Sequence, residues 1–200
     1  MAGFNLTINM SGQDKLTAMK ALLSPATFAK AQKGGTNYAA KAAPPAIAKA
    51  VGARYSMKAK DIKGDISKPR LADGGTTAII RLSRRPRTAA AFSGRLSASG
   101  YSFAIFKGKR SSVLGGFEGT FNGVRLPYYR TGAAKRAMKK GRYQGKIREP
   151  ITVISGVSLG SMFLGNSRFG DVMQKEVGER MQQQFLVGVD RELKRAARGF

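Results

Sequence analysis

The last thirty residues carry the pattern that most constrains the fold. Apolar side chains recur there at steps of three, four and one, the spacing of one helix face; they are Phe169, Val172, Met173, Val177, Met181, Phe185, Leu186, Val189 and Leu193. Acidic residues dominate the early part and basic residues the end, as the helix dipole favours. The sequence predicts an amphipathic helix over 171–197, about 40 Å long, whose apolar face packs in the core or against another subunit.

The N-terminal third reads as a strand followed by helices. Residues 4–10 alternate apolar and polar side chains, which is typical of a half-buried strand, and 14–23 have a short helical pattern. Ser24-Pro25 starts a further helix, because serine is a good N-cap and proline is tolerated at the first helical position. The alanine-rich segment that follows is interrupted by Gly34-Gly35 and Pro44-Pro45. These interruptions predict two helices with a break between them.

The middle of the chain has the character of a β-sheet, with predicted strands over 76–82, 101–106, 112–121 and 124–129. The expected fold class is α+β, with a small, mainly antiparallel sheet flanked by the alanine-rich N-terminal helices and the C-terminal helix. The expected organisation is a single domain over 1–200, divided into an N-terminal strand and helical region (1–70), a β-rich core with basic loops (71–165) and the C-terminal helix (168–198).

Positive charge is the dominant compositional feature, with 36 Lys and Arg against 11 Asp and Glu, a net charge of +25. Residues 1–150 hold 29 basic and 6 acidic side chains, whereas 151–200 hold 7 and 5. Such a field attracts polyanions or acidic protein surfaces. The expected partner is therefore anionic.

Three loop clusters concentrate this charge between the predicted strands. They are Arg84, Arg85 and Arg87; Lys107, Lys109 and Arg110; and Lys135, Arg136, Lys139, Lys140 and Arg142. Their spacing presents no base-reading helix, so any DNA contact is expected to be to phosphates and independent of sequence. Acidic protein surfaces are slightly favoured over DNA as the partner of these clusters. Solvated side chains are the remaining alternative.

Conventional catalysis has few candidate groups in this chain. It has no cysteine and no histidine, which removes thiol nucleophiles, disulfides and the commonest general base and metal ligand. The Gly141–Ile147 stretch has three residues between its glycines where a phosphate-binding loop has four. Glu118 and Glu149 lie isolated among basic residues, and we interpret both as offsetting positive charge. No enzyme activity, cofactor or metal is expected.

Two further sequence features bear on the function of the protein and on its location in the cell. The aromatic alternation in 99–106 resembles an RNA-stacking strand, but a face buried against a helix is the favoured interpretation, since alternating aromatics are common in strand packing. No run approaches the roughly 18 apolar residues that span a bilayer, and the first residues lack the apolar run of a secretory signal. A soluble intracellular product is expected.

The order of these elements resembles the minor tail protein Z family of tailed bacteriophages, the tail completion proteins. The resemblance starts near Ala29 with the alanine-rich helix (38–51) and a basic stretch (56–62). It continues through the 78–82 strand, the Gly115-Gly116-Phe117 core, a passage with the pattern R-x-P-I-x-V-I-x-G-V-S-x-x-x-M-F (148–163) and the C-terminal helix. Residues 4–10 have no clear counterpart in that arrangement.

The resemblance implies a structural role in the virion, at the neck of the tail. Such a protein completes the head-proximal end of the tail as a ring, most often of six copies, between a tail terminator or tube protein and the head-side connector, with DNA passing through the lumen. It also implies an exposed basic tip at 140–148, a return to the sheet at 150–154, and 158–163 leading toward the last helix. The alternative is a free, sequence-nonspecific nucleic-acid-binding protein of the ribosomal or nucleoid type.

Overall fold

A computed structural model describes residues 23–139, 144–164 and 167–198. They form two compact units, here called the helical unit (described residues of 23–53, 59–84 and 159–198) and the sheet unit (those of 54–58 and 85–158). Helices combine with small antiparallel sheets, which confirms the α+β class. The predicted strand over 4–10 and nearly all of the predicted helix over 14–23 lie outside the described residues. Whether the units fold as one domain stays a prediction.

The first helix, α1 (Pro25–Arg54), is continuous over 30 residues. It begins as expected, since the Thr27 amide donates to Ser24 Oγ at 3.3 Å and the Phe28 amide donates to the Ser24 carbonyl at 2.9 Å. The predicted break is wrong, because the helix runs through both glycines and both prolines.

Burial explains why α1 survives two internal prolines. Each proline lacks the N–H that would donate to the carbonyl four residues earlier, a defect that costs roughly 3 kcal/mol in an isolated helix. Around the prolines the helix buries Ala43, Ile47 and Val51 completely. Pro45 itself lies on the exposed side with Lys41, where water can solvate the Lys41 carbonyl. Tertiary packing therefore overrides the local signal.

The last helix, α4 (Gly170–Ala197), begins within one residue of its predicted start and ends at its predicted end. It meets α1 through a contact between backbones. A Cβ atom added to Gly188 would lie 2.9 Å from the Gly35 Cα and 2.7 Å from the Tyr38 Cβ. A Cβ added to Gly35 would lie 2.7 Å from ring and methyl carbons of Phe185 and Val189. Glycine is needed at both positions, because any side chain would push the helices apart.

Two short helices and a hairpin complete the helical unit. Helix α2 is Ala59–Gly64, α3 is Leu159–Phe163, and strands β1 (Arg70–Ala72) and β2 (Thr77–Ile79) pair antiparallel. The predicted 76–82 strand is thus shorter, although Leu82 still forms a bridge with Ile66. The largest buried side chains from these segments are Ile62, Ile80, Leu82, Leu159, Met162 and Phe163.

The sheet unit contains two three-stranded antiparallel sheets and one further hairpin. The first sheet has the order β3 (Arg95–Ser97), β4 (Gly100–Phe103), β5 (Ser111–Leu114). The second has the order β10 (Ile151–Val153), β7 (Val124–Arg130), β6 (Phe117–Phe121). The hairpin pairs β8 (Arg136–Ala137) with β9 (Ile147–Arg148). The predicted 112–121 strand is two strands, because Gly115 turns the chain at a φ of +65°.

The core of the sheet unit forms around Tyr101, Phe103, Ala89 and Ile154. Tyr101 is 1% exposed, and a Cβ on Gly94 would collide with its hydroxyl. The aromatic face of β4 is therefore buried, as the favoured interpretation expected, but it packs with Ala89, Ile154 and neighbouring strand residues and not against a long helix. Burial raises the pKa of the Tyr101 hydroxyl, the charge of Glu118 adds to the rise, and Arg125 opposes it.

Replacing Gly188 with alanine should destabilise the protein by about 1–3 kcal/mol, the usual cost of overpacking, because the new methyl group meets α1 backbone. Gly178→Ala is the matched control, since a Cβ there meets nothing within 4 Å. It should stabilise the protein by about 1 kcal/mol through helix propensity. Denaturant unfolding measures both, and equal effects of the two variants would refute the backbone contact.

The pH dependence of stability should report on Tyr101. Since its folded pKa is raised, the stabilisation from burying the neutral hydroxyl is complete below the usual tyrosine pKa near 10 and is lost as pH rises through the folded pKa. The free energy of unfolding of the wild type should therefore fall faster between about pH 9.5 and 11 than that of Tyr101→Phe. Lysine titration affects both proteins equally, so the difference between them reports on Tyr101. Unfolding free energies at stepped pH test this, and parallel curves would contradict it.

Candidate interaction surface

The first predicted arginine cluster is divided between the two units. Arg84 belongs to the helical unit, whereas Arg85 and Arg87 belong to the sheet unit. Arg84 and Arg85 are exposed and Arg87 is half-buried. The Arg87 backbone is held on both sides: its amide donates to the Val157 carbonyl at 3.4 Å, and its carbonyl accepts from the Gly156 amide at 2.7 Å. These three arginines do not form a cluster within either unit.

The second cluster separates into one structural residue and two exposed lysines. Arg110 Nη2 donates to the carbonyls of Ser93 and Ser102 at 3.1 and 3.2 Å and to Ser102 Oγ at 3.0 Å. Its guanidinium thereby ties the 93 loop to strand β4. Lys107 and Lys109 flank Gly108, whose φ is +78°, on an exposed turn. All three residues are exposed, and Arg110 in addition has this structural role.

The third cluster lies on a protruding hairpin. The ladder between β7 and β10 continues beyond Arg130 through the Thr131 amide, which donates to the Pro150 carbonyl at 3.1 Å, and the Gly132 amide, which donates to the Glu149 carboxylate at 2.8 Å. Strands β8 and β9 extend it, and we call residues 135–139 and 144–148 the cationic hairpin. Lys135, Arg136 and Lys139 are exposed on it, whereas Lys140 and Arg142 lie outside the described residues.

Like charges face each other across the cationic hairpin. Arg136 is the direct antiparallel partner of Arg148, an arrangement that destabilises a strand pair. Sequence reasoning missed Arg148 and Lys146 as site residues, because the pairing of β8 with β9 has no pattern of its own in the sequence. Their place in the basic stretch was the available signal.

The sheet unit has few carboxylates to balance these cations. Its described residues include fifteen Lys and Arg but only two acidic side chains, Glu118 and Glu149. Glu118 forms an ion pair with Arg125, which confirms its predicted role, and Glu149 accepts the Gly132 amide. The sheet unit therefore has a net positive charge, which attracts anions.

Apolar side chains are exposed beside this charge. Ile147, opposite Ala137 in the cationic hairpin, is 71% exposed. Strands β6 and β7 join through Asn122-Gly123, both with positive φ, the two-residue turn typical of tight hairpins. The flanking pair Phe121 and Val124 is 62% and 55% exposed. The sheet unit thus presents alternating cationic and apolar surface.

The residues predicted for subunit packing divide into two groups. Met173, Val177, Met181, Phe185 and Val189 are buried within the chain itself, so they are not accessible to a second copy. Phe169 and Leu193 are half-buried, whereas Val172 and Leu186 are exposed. Val187, which was not among the residues predicted for subunit packing, is also exposed. Subunit packing through α4 stays a prediction and is restricted to these exposed residues.

The chain matches no protein-family model, and comparison with curated proteins and with solved structures gives no significant match. Within 23–139, 144–164 and 167–198, no group of three or more acidic side chains is placed to hold a metal ion. None of the helices in these ranges has the length and apolar character needed to cross a bilayer.

Reversing one charge of the arginine pair should stabilise the hairpin. Arg136→Glu places a carboxylate opposite Arg148, and an opposite-charge cross-strand pair contributes about 0.2–1 kcal/mol. The Met138 and Gly145 amides donate the hydrogen bonds that close the hairpin ladder. Their hydrogen–deuterium exchange should slow by up to about fivefold. Lys107→Glu, with the same charge change on another loop, should leave it unaltered. Faster exchange in Arg136→Glu would show that the arginines do not repel.

Proposed function

We propose that this chain is a non-enzymatic structural protein of a bacteriophage neck. It completes the head-proximal end of the tail as a ring and joins the tail to the filled head. Its partners are further copies of itself, a tail terminator or tail tube protein and the head-side connector. It resides in the virion after assembly in the host cytoplasm.

The local structure of residues 148–163 supports this proposal. These residues carry the most specific part of the resemblance, and they run from the cationic hairpin into strand β10, then into α3 and toward α4. The resemblance implied a basic tip, a return to the sheet and a lead into the final helix, in that order. Pro150 precedes the first residue of β10, where proline is tolerated.

Exposure of Ile147 is the observation that most favours a protein partner. Ile147 is paired with Ala137, so alternation places it on the face of the hairpin opposite the Arg136–Arg148 pair. A phosphate backbone is bound by cations and hydrogen-bond donors, so the exposed isoleucine contributes nothing to DNA contact. Against a protein surface its burial is worth about 1.5–3 kcal/mol, and it therefore fits protein docking better.

The second candidate is sequence-nonspecific nucleic-acid binding. The exposed cations of the hairpin favour it, since each phosphate contact releases counterions. This function requires affinity for any nucleic acid that falls steeply with salt concentration. A neck protein instead requires a fixed, small number of copies in purified virions.

The Arg136→Glu, Lys139→Glu double variant should reduce head–tail joining by at least about tenfold, since a tenfold change corresponds to only about 1.4 kcal/mol of docking energy. Lys41→Glu, Lys49→Glu is the matched control, because it makes the same charge change on exposed positions of α1. Joined particles are counted by electron microscopy after complementation of phage that lack the chain.

Three results would refute the proposal or part of it. Absence of the chain from purified virions by mass spectrometry would exclude a neck component. Normal joining with altered DNA retention would place the hairpin at the DNA rather than on protein. Equal loss in the control variant would mean that net charge, rather than this hairpin, determines joining.

A further inference from the structure

Helix α1 carries two ridges of residues spaced four apart, and the ridges lie on opposite sides of the helix because they are offset by two residues. The buried ridge consists of Ala31, Gly35, Ala39, Ala43, Ile47 and Val51. The other ridge consists of Lys33, Asn37, Lys41, Pro45 and Lys49, of which Asn37 is half-buried and the rest are exposed. We call Lys33, Lys41 and Lys49 the lysine row. At the helical rise they follow each other at intervals of about 12 Å.

Helix α1 has no acidic residue that could balance the lysine row. Its 30 residues include Lys30, the lysine row and Arg54, but neither Asp nor Glu. Glu192 of α4, whose side chain lies against Gly34, is paired with Arg195 at 2.8 Å. An exposed helix face is usually stabilised by opposite charges three or four residues apart. The lysine row lacks that arrangement.

Helix α4 shows the contrasting pattern in the same chain. Its exposed Lys175 and Arg180 are each next in sequence to a glutamate. Nearer its end, the Lys194 ammonium pairs with the Asp190 carboxylate at 2.8 Å. The cations of α4 are therefore offset by carboxylates of the same helix, whereas those of the lysine row are not.

The lysine row also lacks the apolar anchors of a protein interface. Apart from lysines, the exposed residues of α1 are Pro25, Ala26, Ala29, Pro45 and Ala53, none of them large. Lysine and alanine are both depleted at protein–protein interfaces, whose cores are rich in aromatic side chains. A phosphate backbone requires only cations and hydrogen-bond donors, and the small residues between the lysines let it approach the helix closely.

We propose that the lysine row of α1 binds the phosphate backbone of duplex DNA, independently of sequence. Each ammonium contacts a phosphate oxygen, and the Asn37 side-chain amide donates between Lys33 and Lys41. The helix lies on the backbone and presents no side chain to base edges, so it carries no sequence information. The inference adds a partner to the proposed function. It rests on that function only for the source of the DNA, which would be the genome that passes through the ring.

Lysine acetylation mapped by mass spectrometry tests this contact on the unaltered protein. The chain is treated briefly with an acetylating reagent, with and without a short DNA duplex of arbitrary sequence. Acetylation of the lysine row should fall at least about fivefold, because an amine held on a phosphate is less accessible. Lys60 and Lys63 are the internal controls, since both are exposed on α2 on either side of Asp61. Their acetylation should stay nearly unchanged.

The salt dependence of duplex binding counts the contacts. The slope of log K against log salt concentration changes by about 0.9 for each phosphate contact. The Lys41→Gln, Lys49→Gln variant should therefore reduce the magnitude of the slope by about 2 between about 50 and 200 mM salt, for any duplex sequence. Lys60→Gln, Lys63→Gln removes the same charge from exposed positions of α2 and should leave the slope unaltered.

Five other outcomes would overturn the proposal. Protection of Lys135, Lys139 and Lys146 in place of the lysine row would move the DNA contact to the cationic hairpin. Equal protection of the row by polyglutamate would show that it does not distinguish phosphates from carboxylates. Protection by anionic lipid vesicles but not by DNA would assign the row to a membrane surface. Equal protection of Lys60 and Lys63 would show nonspecific attraction, and no protection would show that the row is only solvated.

The failure of this inference differs from failure of the proposed function. Acetylation and salt titration use purified protein, so the DNA contact can be found even if the chain is absent from virions. Conversely, a chain present in virions whose lysine row is not protected is a neck protein without this contact. Lys41→Glu, Lys49→Glu should lose duplex affinity and keep head–tail joining, whereas Arg136→Glu, Lys139→Glu should lose joining and keep protection of the lysine row.

Discussion

The contact between Gly35 and Gly188 determines how the helical unit is built. Because no side chain separates the two backbones, Phe185 and Val189 of α4 pack directly against α1. This close approach buries most of the apolar stripe of α4 inside the chain. What α4 leaves outside is a narrower stripe on the opposite side. The division of α4 into an inner and an outer surface therefore follows from two glycines.

The sheet unit is governed by a different constraint, an excess of positive charge that its own residues do not balance. Its two carboxylates already have partners in Arg125 and the Gly132 amide. Repulsion between Arg136 and Arg148 is tolerated because both residues are exposed, and the high dielectric constant of water weakens the interaction between their charges. An acidic surface would convert this cost into attraction. The apolar side chains that lie beside the cations would add burial to that attraction.

Sequence patterns located the long elements well and the surfaces poorly. The start of α4 was predicted within one residue because its periodicity extends over seven turns. The break at Pro44-Pro45 was wrong because burial of distant residues decided the outcome. The cations were located individually, yet the pairing of Arg136 with Arg148 depends on strand register, which periodicity does not contain. Register also decides that Phe117 and Ile151 share a face, so this apolar surface was not predictable from periodicity.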